Sequence, residues 1–338
     1  MQRIWFVFAV AAAIAAPSVG AQGVENPQCN QVIVATGPAG GPVRSEVAGG
    51  DGCQKAVDLY QYLNTQLGTL VAGGNATLGQ GGTLGGLGHF SIGARVNLLN
   101  ASIPDVQGVN VGPGAPEASG YTTNNKTVVF PEIDGALGVF RGFPIGLTYI
   151  GGLDALVSAS YLPSVEQTGV RIGHPTGAIR FGYGVRLGLL QETALTPGIS
   201  VTYQERSLPM TSIFATASST ESFSVRDLDL RTKAWRVVAS KNLLWVSLAA
   251  GFGRDYYDAS AKLTSTVDGQ AQPTPVALMV SPTRTSIFGD VSLNVIPFVK
   301  LVAELGRVSG GSVRTFNTFA DDVNQSRWYG SIGARLAF

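Results

Sequence analysis

Trp328-Tyr329-Gly330-Ser331-Ile332-Gly333-Ala334-Arg335-Leu336-Ala337-Phe338 is the last stretch of a 338-residue sequence. One parity reads Trp, Gly, Ile, Ala, Leu, Phe, and the other Tyr, Ser, Gly, Arg, Ala. This period-2 alternation predicts a strand with an apolar outer face and a small or polar inner face. Trp328 and Phe338 share the outer face, about 33 Å apart along the strand. Tilted by about 40°, that length spans roughly 25 Å, the height of the apolar band of a transmembrane β-barrel. Trp328, Phe338, Tyr149 and Tyr161 are the expected girdle residues, and the terminal strand is the expected signal for barrel-assembly machinery.

The same alternation recurs upstream at 89–99, 127–140, 147–161, 178–190, 198–208, 223–239, 244–258, 285–295 and 298–308. With the last strand this predicts an all-β, antiparallel up-and-down transmembrane barrel of ten strands, or twelve if part of 101–126 or 28–36 also pairs. The gaps alternate between long (about 100–126, 162–176, 209–221, 263–283 and 309–326) and short (141–146, 191–197, 240–243 and Ile296-Pro297). Barrels of this kind have short periplasmic turns, long outer loops and an even strand number. In 223–239, Asp227, Asp229, Arg231 and Lys233 share a parity expected to face inward, which sends Arg236 outward.

Residues 1–21 read as a cleaved signal peptide, with Arg3, an apolar core Ile4–Ala16, and Val19-Gly20-Ala21 before the cut. Export allows Cys29 and Cys53 to form a disulfide, the alternative being two free thiols. Only 13 % of residues are charged, about half of what a soluble surface carries. No mature segment approaches the roughly 20 apolar residues of a membrane helix. A hydrophobic chain without such a helix satisfies its backbone in lipid only as a closed barrel. The expected location is therefore the bacterial outer membrane, with its lipids as partners. A net charge of +1, zero once Arg3 is removed, excludes a nucleic-acid partner.

Residues 22–86 precede the barrel, which takes up 87–338. A helix is expected at about 54–71 from Ala56, Leu59, Leu63, Leu67 and Leu70, followed by the glycine-rich run 73–86. Two placements stand open, a periplasmic helix with a flexible lead or a plug within the lumen. This layout, with Val225-Arg226-Asp227-Leu228-Asp229-Leu230 and Ala239-Ser240-Lys241, resembles uncharacterised outer-membrane barrels loosely similar to the long-chain fatty-acid transporter group. The resemblance implies an N-terminal plug and hydrophobic cargo. Asn26-Pro27-Gln28 stands where that group carries Asn-Pro-Ala, and no site residue carries over.

Catalytic candidates are few, and the sequence reading is of a non-enzyme without cofactor or metal. His89-Phe90-Ser91 pairs an imidazole with a hydroxyl two residues apart, but a serine nucleophile also needs a group that orients its base. His174 lies in a Gly/Pro loop, and Asp321-Asp322 reads as a solvated loop before a cation site. The inward parity gives nine bases (Arg95, Arg180, Arg186, Arg206, Arg231, Lys233, Lys300, Arg327, Arg335) and seven acids (Glu132, Asp134, Asp154, Asp227, Asp229, Asp290, Glu304). Ion-selective pores carry rings of one sign, whereas a near-balanced set predicts mutual pairing across a narrow lumen. Two functions follow: passive or gated uptake of small solutes, hydrophobic ones among them, or a structural or surface-interaction barrel with a closed lumen.

Overall fold

The structure, a computed structural model, describes residues 25–29, 44–74, 79–105, 116–162, 164–167, 170–216, 222–267, 270–271, 275–296 and 298–338. Ten antiparallel strands form a ring: β1 Phe90–Pro104, β2 Thr123–Phe140, β3 Gly152–Tyr161, β4 Ile179–Leu190, β5 Gly198–Ser207, β6 Ser222–Leu243, β7 Val246–Val267, β8 Thr283–Ile296, β9 Val299–Ser309 and β10 Arg327–Ala337. Each pairs with its neighbours in the chain, and β10 returns to β1 with Val96 opposite Ile332. At the seam, Phe90 N donates to Phe338 O at 3.1 Å and Phe338 N donates to Phe90 O at 2.9 Å. Closure matters because an unpaired backbone group in hydrocarbon costs several kcal/mol.

Ten strands agree with the sequence, and the twelve-strand alternative does not hold among the described residues. Residues 101–104 and 123–126 lengthen β1 and β2. Gly120–Tyr121 pairs in parallel with Thr318–Phe319, outside the ring. Residues 30–36 lie outside the described residues. Along β10, Trp328, Ile332, Ala334 and Leu336 are exposed on the outer face while Arg327, Tyr329, Ser331 and Arg335 are buried. The short connections mark the periplasmic end, where Phe90, Phe298 and Phe338 stack. Tyr161 and Trp328 stand at the outer rim, each about half exposed. Tyr149 is not on β3: it lies in an inner-rim hairpin, Phe143–Ile145 with Thr148–Ile150, beneath the Arg141 guanidinium.

The expected inward parity of 227–233 is corrected. Arg231 pairs with Asp229, Lys233 with Asp258 and Lys262 with Asp227, all on the outer surface. Arg236 is buried in the lumen. At 22 residues each, β6 and β7 far exceed the span of the bilayer, so this charge run projects beyond the outer girdle, where Trp235 lies opposite Arg254. A bulge between Arg226 and Asp229 resets the parity, with Asp227 at φ +54°. Asp tolerates that left-handed conformation better than most side chains.

Helix α1, Arg44–Ala72, begins ten residues before the expected start and stands inside the ring. From the outer mouth inward, Asp58 meets Asn317, Tyr62 meets Arg327, Gln66 meets Ser102 and Thr69 meets Tyr257. Its leucine spacing resembles an amphipathic helix, yet Gln54, Asn64, Gln66 and Thr69 are as buried as Val57 and Leu70 because the wall it faces is largely polar. Gly68 lies flat on the Tyr257 ring, where a Cβ would come within 2.4 Å. The helix stops at Gly73-Gly74, with Gly74 at φ +75° in the left-handed cap conformation that glycine favours. Residues 79–88 then cross the inner mouth: Gly81 N donates to Ser240 Oγ at 2.7 Å, and Thr83 N donates to Gln191 Oε1 at 3.1 Å.

Candidate functional site

Midway down the lumen, the inward parity of β1, β2 and β5 brings four charges together around the end of α1. Glu132 receives Arg95 Nη2 at 2.6 Å and Arg206 Nε at 3.0 Å. Asp134 also pairs with Arg95. Each of these side chains is at most 5 % exposed, so the charges neutralise one another away from water. The same arginines reach the helix end: Arg95 Nη1 donates to Gly73 O at 2.8 Å, and Arg206 Nη1 to Gly74 O at 3.1 Å. Arg236 donates to Ala72 O. The last carbonyls of a helix carry its negative dipole end and lack internal donors, which is the chemistry that three guanidiniums satisfy.

Arg236 also pairs with Asp255 at 3.5 Å and approaches Glu304 at 4.0 Å. Nearer the inner mouth, Asp154 accepts from Arg186 Nη2 at 2.5 Å and from the backbone N of Leu84 at 3.1 Å. Arg327 donates to the Tyr62 hydroxyl at 3.1 Å. Asp290 and Arg335 are buried, whereas Arg180 and Lys300 are half-buried. Sequence reasoning missed Arg236, Asp255 and Arg284. The neighbouring Trp235 was the available signal: with its ring at the lipid interface, position 236 must face inward.

The outer mouth carries an ordered cap. Cys29 and Cys53 are joined in a disulfide, with Cα atoms 5.6 Å apart. Asp58 Oδ2 accepts from both the backbone N and Nδ2 of Asn317 at 2.7 Å. Burial pushes the Asp58 carboxyl above the usual carboxylate range, and these two donors offset part of that shift. The Phe319 ring stacks on Tyr62 at 4.3 Å and on Tyr121 at 5.1 Å. Asp321 accepts from Ser102 and Thr123 hydroxyls, the Ser102 bond being the main reason its carboxyl lies below the usual range.

The inner mouth holds a cavity of about 590 Å³ lined by Gln80, Glu192, Lys241, Lys300, Arg335 and Phe338, among others. A void of about 10 Å³ lies among Arg95, Asp134, Val302 and Arg335. His89 is exposed on the inner rim while Ser91 is buried. His174 Nδ1 stands 3.3 Å from the Thr211 hydroxyl.

No family model and no curated protein matches the chain. Several solved barrels are similar in structure. The translocator domain of the autotransporter NalP from Neisseria meningitidis is 9 % identical, with 73 % of this chain and 87 % of that one covered and a TM-score of 0.39. Neisserial surface protein A is 11 % identical, with 74 % and 97 % covered and a TM-score of 0.26. The outer-membrane protease OmpT of Escherichia coli is 11 % identical, with 74 % and 96 % covered and a TM-score of 0.34. The expectation of a non-enzyme is corrected by this last likeness, since barrels of this form include a protease and the architecture does not separate enzymes from non-enzymes. At such identities only the fold is shared. What the closed ring, its outward apolar band and its aromatic rims establish is a ten-stranded antiparallel β-barrel of the bacterial outer membrane.

Proposed function

We propose that this chain works as a closed surface-interaction barrel, whose lumen is filled so that a rigid cap can be held at the outer face. The observation that carries this reading is the grip of Arg95, Arg206 and Arg236 on the last carbonyls of α1, at the level of the Glu132–Asp134 network. A helix is about 10–12 Å across with its side chains, nearly the bore of a ten-stranded ring. Helix α1 and residues 79–86 then act as a plug, and the inward charges of the described residues act as a self-neutralising network without a ring of one sign. The cap of α1, 116–122 and 310–326 is the surface offered to a partner. The terminal strand, ending at Phe338, is the segment that barrel-assembly machinery recognises.

Gated uptake is the second reading, favoured by the cavity at the inner mouth. Hydrophobic cargo, as in the long-chain fatty-acid transporter group, fits the polar lumen wall poorly. Planar-bilayer conductance and solute uptake separate the two, comparing the full protein with a form lacking residues 22–85. The closed-barrel reading expects no conductance or uptake in the full protein, and conductance once the segment is removed. Uptake or steady conductance by the full protein overturns it.

A further inference from the structure

We propose that the inner mouth binds a small oxyanion, a carboxylate or phosphate group, between the Arg335 guanidinium and the Lys300 ammonium. The lumen treats Arg335 differently from its other buried arginines. Arg95, Arg186, Arg206 and Arg236 all face carboxylates. Arg284 donates to the carbonyls of Asn324 and Gln325, and Arg327 donates to the Tyr62 hydroxyl. Arg335 is only 4 % exposed, yet none of its three guanidinium nitrogens has a hydrogen-bond partner among the described residues. A buried guanidinium without a partner is costly, and such a group either finds an anion or is replaced by an apolar side chain.

The strand register compounds the imbalance. On β9 the residue opposite Arg335 is Lys300, and on β1 it is Gly93, which supplies no side chain. Like charges placed opposite one another on a sheet repel. Both cations line the cavity of about 590 Å³ at the periplasmic end, within the size range of small-molecule sites. Other charged groups of that cavity are already engaged. Lys241 Nζ donates to the carbonyls of Thr193 and Ala194, and Glu192 accepts from the backbone and side chain of Asn242. Asp290 is near enough to act on Arg335 through space, but neither of its oxygens takes a hydrogen bond from it.

The planar guanidinium fork matches a carboxylate or phosphate in a bidentate way, and an ammonium beside it adds a point charge. Both cations open onto the periplasmic mouth, so a ligand held between them is reached from that side. The site therefore serves solutes or headgroups on the periplasmic side, independently of what the outer cap does.

The test is calorimetric titration of the purified full chain in detergent at fixed ionic strength. Sodium phosphate and sodium acetate are the free probes, and phosphatidylglycerol in mixed micelles is the lipid probe. Saturable binding is expected, weakened by about ten- to a hundredfold in Arg335→Gln and less strongly in Lys300→Gln. Arg307→Gln, on the exposed face of β9, should bind like the parent. Saturation by a free ion assigns a soluble ligand, and saturation by the lipid alone assigns a headgroup. If Arg335→Gln loses the heat-modifiable gel mobility of a folded barrel, Lys300→Gln decides the matter. Absence of saturable binding, or equal binding by the parent and both cavity variants, overturns the proposal. So does Asp290→Asn destabilising the barrel while no anion binds, for Arg335 would then be neutralised from within.

Discussion

Glu132 receives two guanidiniums, and the same arginines are also held on Asp134 and on the helix-end carbonyls. Removing its carboxylate leaves Asp134 alone to neutralise two buried cations, and breaking a buried pair from one side costs about 3–5 kcal/mol. Glu132→Ala should therefore lower the urea midpoint of the refolded barrel by that equivalent, read as loss of heat-modifiable mobility. Glu205→Ala, a partly exposed carboxylate on β5, should leave it nearly unchanged. A full effect at Glu205 with none at Glu132 would contradict the network. Asp58 presents the opposite case, a carboxyl well outside the lipid band with a raised affinity for its proton. The folded state then holds that proton more tightly than the unfolded one, whose carboxyl titrates near 3.9. Between that value and the raised one, stability falls as the pH rises. Asp321 is shifted downward, so its contribution is lost only on acidification below the ordinary range. Protection of the 310–326 loop from protease should improve as the pH is lowered towards the unfolded-state value, and Asp58→Asn should flatten that dependence. An unchanged slope in the variant would remove Asp58 as its source.

Strands and helix differ in how far the sequence discloses them. Alternation over 328–338 specifies a barrel strand because its two faces meet different solvents, and Trp328 and Phe338 fix the span. It misleads at Asp227, Asp229, Arg231 and Lys233, since β6 and β7 outrun the membrane and outward charge above the girdle faces water. Leu59, Leu63, Leu67 and Leu70 disclose a helix but not its place, because the lumen wall offers polar as well as apolar partners. Of the three arginines at its end, Arg236 is hidden in the sequence by the bulge between Arg226 and Asp229 that resets the strand's parity. The length of α1 above its leucine stripe leaves no mark in the sequence, because Arg44–Gly52 carries no apolar periodicity. That outer end is tied by Cys29–Cys53, across a sequence separation of 24 residues. On the chain-entropy account, a loop of that size constrains the unfolded chain by about 3 kcal/mol. Reduction, or Cys29→Ser with Cys53→Ser, should leave the barrel folded by gel mobility while exposing residues near 44–55 to protease. If protease sensitivity does not change, the tie is dispensable for the cap.

At the scale of the whole molecule, the direction of α1 has a topological consequence. The chain enters β1 at the periplasmic rim, where Phe90 pairs with Phe338. Going backward from Phe90, residues 79–88 cross the inner mouth, and Gly73 lies at the level of Arg95. Tyr62 lies at the level of Arg327, Asp58 touches Asn317, and Asn26 N donates to Gln54 Oε1 at 2.7 Å. The polypeptide therefore ascends the lumen towards its N-terminal side, and residues 25–29 stand at the outer mouth beside the long loops. Either the barrel closes around this arm or the arm is drawn through it, and in both cases residues 25–29 and Phe338 lie at opposite mouths of the barrel. An epitope inserted ahead of Asn26 in the mature protein should bind antibody on intact cells. The same epitope placed after Phe338 should bind only once the outer membrane is permeabilised. The first epitope adjoins the outer mouth, where Asn26 meets Gln54, whereas the second follows the periplasmic rim, where Phe338 pairs with Phe90. Labelling of both only after permeabilisation would place α1 the other way up and dissolve the arginine grip on its C-terminal carbonyls, because those carbonyls would then face the outer mouth.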